Sequence, residues 1–159
     1  MLCGFEWSVR KLIRQGKLAE ASRLLRDRMS KDARPRSRYL NYLGVCEGRM
    51  GHLERARELF LRAHSLSPRD PKPLNNLGNL AYLQRDLDSA RQYYMRALRE
   101  DAWATEPRFN LALLYQDLGH SEKVLSSYEG YVITKRAIQW GKAAAITVLV
   151  LLLIIIVSL

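Results

Sequence analysis

The chain has 159 residues, 48% hydrophobic and 26% charged, with a formal net charge of +10. That balance excludes a disordered chain, and the length suffices for one helical domain of ordinary size plus an appendage. Two cysteines, Cys3 and Cys46, without CxxC spacing, exclude a disulfide framework and fit a reducing setting. The positive excess sits at the amino end: residues 1–36 carry +6, residues 37–70 +2, and residues 71–104 and 105–142 +1 each. Such an excess suits anionic lipid, an acidic partner or nucleic acid. Nucleic acid is the least favoured of these, because no aromatic–basic interleaving of recognisable spacing accompanies it.

In chain order, Met1 to Gln15 holds no sustained apolar run, so no signal peptide is expected. Residues 1–36 read as a divergent helix pair, with Phe5, Leu12, Gly16, Leu18, Ala21 and Leu25 falling near the positions that recur in the two units after it. Trp7 has no counterpart later in the chain and is expected to cap the open end of the core, with a partner contact as the alternative. Ala33 to Arg36 form a linker in which Pro35 helps end the preceding helix.

Residues 37–70 and 71–104 then repeat with a period of 34. Leu40 matches Leu74, Leu43-Gly44 matches Leu77-Gly78, Ala56 matches Ala90, Phe60 matches Tyr94 and Ala63 matches Ala97. Glycine inside a helix costs about 1 kcal/mol against alanine, so its recurrence at one place signals close helix approach. Phe60 and Tyr94 lie one turn beyond the small alanines and are expected to fill the gap to the next unit. Glycine in the turns Gln15-Gly16-Lys17, Met50-Gly51-His52 and Leu118-Gly119-His120 permits the positive φ that ends a helix. Pro68 stops one helix and Pro71 can start the next. The pattern resembles the tetratricopeptide repeat, a helix–turn–helix unit of this length.

Residues 105–136 read as a degenerate terminal repeat. Leu111, Ala112, Tyr115, Gly119 and Tyr128 match, but Val124 and Tyr131 replace small residues, and larger side chains there hold off a following repeat. The composition then changes. Ala143 to Leu159 carries no charge, and residues 137–159 are expected to form a transmembrane helix. Lys135, Arg136, Trp140 and Lys142 are its expected interface anchors, with Lys142 snorkelling and Trp140 at headgroup depth. The basic residues precede the segment, which predicts a single-pass, tail-anchored arrangement with the repeats cytoplasmic. Compact length and arginine-rich composition favour a bacterial inner membrane, with an organelle outer membrane as the alternative.

The expected fold class is therefore all-α, a solenoid of about four helix pairs followed by one membrane helix. No catalytic constellation, metal-ligand spacing or cofactor motif emerges, which argues against an enzyme and implies no cofactor. His52, His64 and His120 read as turn or helix-end residues, and Asp86-Leu87-Asp88 as a helix cap. The resemblance implies a peptide groove lined by the first helix of each pair. Its candidates are Arg38, Asn41, Lys72, Asn75, Asn76, Asn79, Tyr82, Asn110 and Gln116. A carboxamide both donates and accepts, so a row of asparagines suits an extended backbone of any sequence. The alternative for those residues is capping of helices and turns. Asn79 and Asn110 match two positions of the family's carboxylate clamp, but Asn75 stands where that clamp needs lysine, which weakens a chaperone-docking reading. The expected function is a membrane-bound scaffold that docks protein partners. The alternative is a structural accessory subunit of a membrane complex, its membrane helix packed against other subunits.

Overall fold

A computed structural model describes the backbone of residues 2–32 and 36–158, with side chains described for residues 4–32 and 36–148. Among these residues the secondary structure is entirely helical: α1 Leu2–Arg14, α2 Leu18–Lys31, α3 Ser37–Arg49, α4 Leu53–Leu66, α5 Pro71–Leu83, α6 Leu87–Glu100, α7 Thr105–Asp117 and α8 Ser121–Ser158. They form two compact units, Met1–Ala102 and Trp103–Leu159. In the first, each helix packs on the one before it, α1 on α2 through to α5 on α6, and α3 also touches α5. In the second, α7 packs on α8.

Four turns share one device. The amides of Lys17, His52, Asp86 and His120 donate to the carbonyls five residues back, on Leu12, Glu47, Ala81 and Tyr115, at 2.9–3.0 Å. That closure needs a left-handed residue just before the donor. Gly16, Gly51 and Gly119 provide it, as expected, with φ of 75°, 89° and 73°. In the third turn Arg85 takes the same place with φ 64°, where a side chain costs roughly 1–2 kcal/mol. Helix starts follow the sequence as well. Asp70 accepts from the amide of Lys72 with Pro71 in the first turn, and Asp86 accepts from the amide of Ser89, each at 3.1 Å.

Gly44 and Gly78 mark the close crossings. A Cβ built on Gly44 would lie 2.6 Å from Cε1 of Phe60, and one on Gly78 2.5 Å from Cε1 of Tyr94. The two rings therefore sit on the glycine of their own pair, a closer role than filling the gap between pairs. Phe60 does both, since it also packs in one cluster with Leu74, Leu77 and Leu80 of α5. The Tyr94 hydroxyl donates to Oδ1 of Asn79 at 2.8 Å, and burial pushes this phenol's pKa up. A second cluster, of Val9, Ala21, Leu25, Tyr39, Leu43 and Cys46, joins the first pair to the second.

One expectation changes. Trp7 does not cap the core: it is 58% exposed, with the Lys11 ammonium 5.0 Å above its ring. Phe5 does the packing there, edge-on to Tyr39 at 5.3 Å. The linker around Pro35 lies outside the described residues. No backbone break separates residue 136 from residue 137, because α8 runs from Ser121 to Ser158 as one helix. Among the described residues no helix is long and apolar enough to cross a membrane. The side chains of residues 149–159, over half of the expected membrane segment's uncharged run, lie outside them.

The α7–α8 pair departs from the others in a related way. Ala112 occupies the place of Gly44 and Gly78 and is buried. With a methyl there, the ring of residue 128 cannot lie as Phe60 and Tyr94 do. Tyr128 is 49% exposed and stands 5.9 Å from Tyr131, which packs on Phe109 at 5.4 Å. The close approach moves to Gly130, where a Cβ would meet the Arg108 guanidinium at 3.0 Å.

Gly78→Ala is expected to destabilise the first unit by about 1–3 kcal/mol, since the ring it meets is held by Asn79 and cannot swing away. Urea unfolding followed by circular dichroism checks this, and an unchanged midpoint would remove the glycine–ring contact as a packing constraint.

Candidate functional site

The first helices of the first unit present a polar row. On α1, Glu6 accepts from Nη1 of Arg38 on α3 at 2.7 Å. Tyr42, half-buried on α3, lies in a mixed field: burial raises its pKa, Arg10 and Arg38 lower it, and Glu6 and Asp70 raise it again. One helix further, Nδ2 of Asn76 on α5 donates to Oδ1 of Asn41 on α3 at 2.9 Å. Carboxamides of adjacent pairs thus bond to each other, 35 residues apart in sequence.

The candidates therefore separate. Asn41 and Asn75 are buried, and Asn76 is half-buried with one amide proton spent on Asn41. Asn79 has its oxygen taken by Tyr94. Arg38 and Lys72 are exposed, Lys72 in the first turn of α5, and Tyr82 is half-buried near that helix's end. Arg38, Asn41 and Asn76 come together in the first unit. Asn110 and Gln116 belong to α7 in the second, where Gln116 lines a recess with Val124, Leu125 and Tyr128. Of the interface candidates, Lys135 donates to the Tyr131 hydroxyl at 3.1 Å, and Arg136, Trp140 and Lys142 are exposed along α8. Among the described residues no three His, Cys, Asp or Glu side chains stand close enough to hold a metal ion.

Sequence reasoning missed a buried carboxylate. The Glu47 side chain is 3% exposed and accepts from Nη2 of Arg26 on α2 at 2.7 Å. Its other oxygen pairs with Nδ1 of His52, in the turn before α4, at 2.8 Å. Burial alone would raise this carboxyl's pKa, but the hydrogen bonds of His52 and Arg26 and the arginine's charge together hold it below its ordinary value of 4.5. Glu47 thereby ties the first helix pair to the second. The only advance signal was an acidic residue in a small-residue helix segment, Gly44 to Gly48.

Comparisons with known proteins agree with this architecture. Residues 71–102 match the family model described as tetratricopeptide repeat. The fold is that of the tetratricopeptide repeat. A crystal structure of MamA superposes with a TM-score of 0.67 at 14% identity, over 81% of this chain and 75% of that one. The protein pilF of Pseudomonas aeruginosa gives 0.72 at 19% identity, over 84% of this chain and 60% of that one. YrrB, a repeat protein with an unusual peptide-binding site, gives 0.62 at 14% identity, over 83% and 68%. No curated protein sequence matches the chain.

The Glu47 cluster makes stability pH-dependent with a definite sign. Its folded pKa lies below the unfolded value, so its contribution is complete above about 4.5 and is lost as pH falls through the folded value. Glu47→Gln is expected to flatten thermal stability against pH in that acid window and to cost roughly 1–3 kcal/mol at neutral pH. Melting curves from pH 3 to 7 check this, and parallel profiles for the two proteins would exclude Glu47 as the titrating group.

Proposed function

We propose that this tetratricopeptide-repeat chain is a membrane-bound adaptor that holds a polypeptide segment against the row formed by α1, α3 and α5. The observation that carries the reading is the Asn41–Asn76 bond beside the Arg38–Glu6 pair. It sets a polar, charge-mixed strip along successive first helices, with the Asn76 oxygen and its second amide proton left over to meet a peptide backbone. YrrB supports the same use of the fold, as a repeat protein with a peptide-binding site. The buried asparagines Asn41 and Asn75 act in this reading as the inner support of the strip, and Arg38, Lys72, Asn76 and Tyr82 as its contacts. The partner is a protein, and binding without chemistry suffices.

The membrane half of the proposal rests on the uncharged run Ala143–Leu159 and on α8 continuing unbroken through Ser158. Seventeen uncharged residues are at the short end of a bilayer-spanning helix, and Trp140, 75% exposed, would stand at the headgroup level. Lys135, Arg136 and Lys142 would keep the repeats on the cytoplasmic side of a bacterial inner membrane. Confinement to a surface raises the local concentration of whatever the strip holds.

Two measurements separate the halves. Peptides selected from a random display library on the full-length protein in mild detergent are expected to bind about tenfold more weakly to Arg38→Glu combined with Asn76→Ala, at unchanged helicity. Peptides indifferent to both changes would place the docking surface elsewhere. Alkaline carbonate washing is expected to leave the full-length protein in the membrane pellet. Release into the supernatant would remove the anchor and leave the strip untouched.

A further inference from the structure

The way α1 is turned in the first unit is fixed from several sides. Val9 and Phe5 enter the cluster formed with Leu25 and Tyr39. Glu6 accepts from Arg38 at 2.7 Å, and the carbonyl of Ile13 accepts from Nη1 of Arg49 at 2.7 Å. With about 3.6 residues per turn, Trp7, Lys11 and Arg14 then fall along one line on the side away from Val9. All three are exposed. Arg10, also exposed, lies between that line and the strip, near enough to Tyr42 to lower its pKa.

This outer face carries cations and a ring but no acid. Glu6 is the single carboxylate of α1, and Arg38 holds it. Glu20 and Asp27 of α2 line a cleft with Leu12, on the packed side of α1, and Asp27 pairs with Lys31 at 2.8 Å. Among the described residues no carboxylate pairs with Arg10, Lys11 or Arg14, and the Lys11 ammonium stands over the Trp7 ring instead. Residues 1–36, net +6, add to the field around the face.

A protruding indole ringed by cations needs a partner with apolar depth for the ring and anionic groups around it. An anionic bilayer supplies both. The ring suits the boundary between headgroups and acyl chains, and the basic arms reach the lipid phosphates. Nucleic acid or an acidic polypeptide supplies the charge, but a folded partner must also carry a cavity matched to a lone ring on a convex helix. A fluid lipid surface shapes itself around that ring.

We infer that α1 lies on an anionic lipid surface through Trp7, Lys11 and Arg14, with Arg10 at the edge of the contact. One ring and a few charges make the contact shallow and reversible. It stands on α1 alone and does not depend on the uncharged run that ends the chain.

The test uses the full-length protein in nanodiscs of neutral phosphatidylcholine, mixed with sucrose-loaded vesicles rich in phosphatidylglycerol and then sedimented. Saturable co-sedimentation is expected, with none on vesicles of phosphatidylcholine alone. Lys11→Glu combined with Arg14→Glu is expected to weaken it about tenfold at unchanged helicity, and added salt to weaken it comparably. Trp7→Ala, at an exposed site, is expected to weaken it several-fold. In a background of Trp103→Phe and Trp140→Phe, the emission of Trp7 is expected to shift to the blue on binding. Asn76→Ala, on the peptide strip, is expected to change nothing. A chain without an anchor stays out of the discs and is assayed free in solution, so failure of the tail and failure of this face are told apart. No binding to the anionic vesicles, or equal binding to the neutral ones, overturns the proposal. So does affinity retained in Lys11→Glu with Arg14→Glu. A shift of Trp7 emission with polyglutamate or duplex DNA but not with vesicles also overturns it, and would make an acidic polymer the occupant.

Discussion

The contact on which the helix pairs depend is a bare backbone under an aromatic ring. Phe60 lies on Gly44 and Tyr94 on Gly78, closer than any Cβ would allow. Each contact draws two antiparallel helices together and places small residues, Ala56 and Ala90, at the crossing, both fully buried. Mid-helix glycine is unfavourable by itself, so its cost must be offset by the burial of a whole ring, which contributes roughly 1.5–3 kcal/mol. Repeating that exchange at a fixed spacing gives successive pairs the same internal geometry, and a stack of identical joints follows.

The last pair shows what happens without it. Ala112 closes the space a ring would use, Tyr128 turns outward, and Gly130 becomes the new point of approach under Arg108. The helix that carries Tyr128 then has no turn back into a further pair within the described residues; it continues through Ser158. A change of one methyl group at the crossing thus accompanies a helix that runs on well past the length of its partner α7.

Polar groups in the first unit are largely spent on holding it together. Asn41 and Asn76 bond across pairs, Asn79 takes the Tyr94 hydroxyl, and Glu47 joins α2, α3 and the turn before α4. Buried polar groups without partners are costly, and pairing them across successive helices fixes the register of stacking. The outer layer of the same row, Arg38, Lys72 and the half-buried Asn76, stays toward the surface. The comparison structures share this fold at 14–19% identity, which leaves the surface chemistry of each to its own residues.

From the sequence alone came most of the local and periodic properties. The period of 34 located the pairs, the glycines located the crossings and three of the four left-handed turns, and Pro71 and Asp86 located two helix starts. These follow from backbone sterics and from a spacing that has the same physical meaning wherever it recurs. Tertiary structure decided the rest. Arg85 takes the left-handed position because the turn's closing hydrogen bond demands it, whatever the residue. Trp7 is exposed because Phe5 reaches Tyr39 first. The Asn41–Asn76 and Arg26–Glu47 bonds join residues 35 and 21 apart, and only the stacking of one pair on the next brings them within reach.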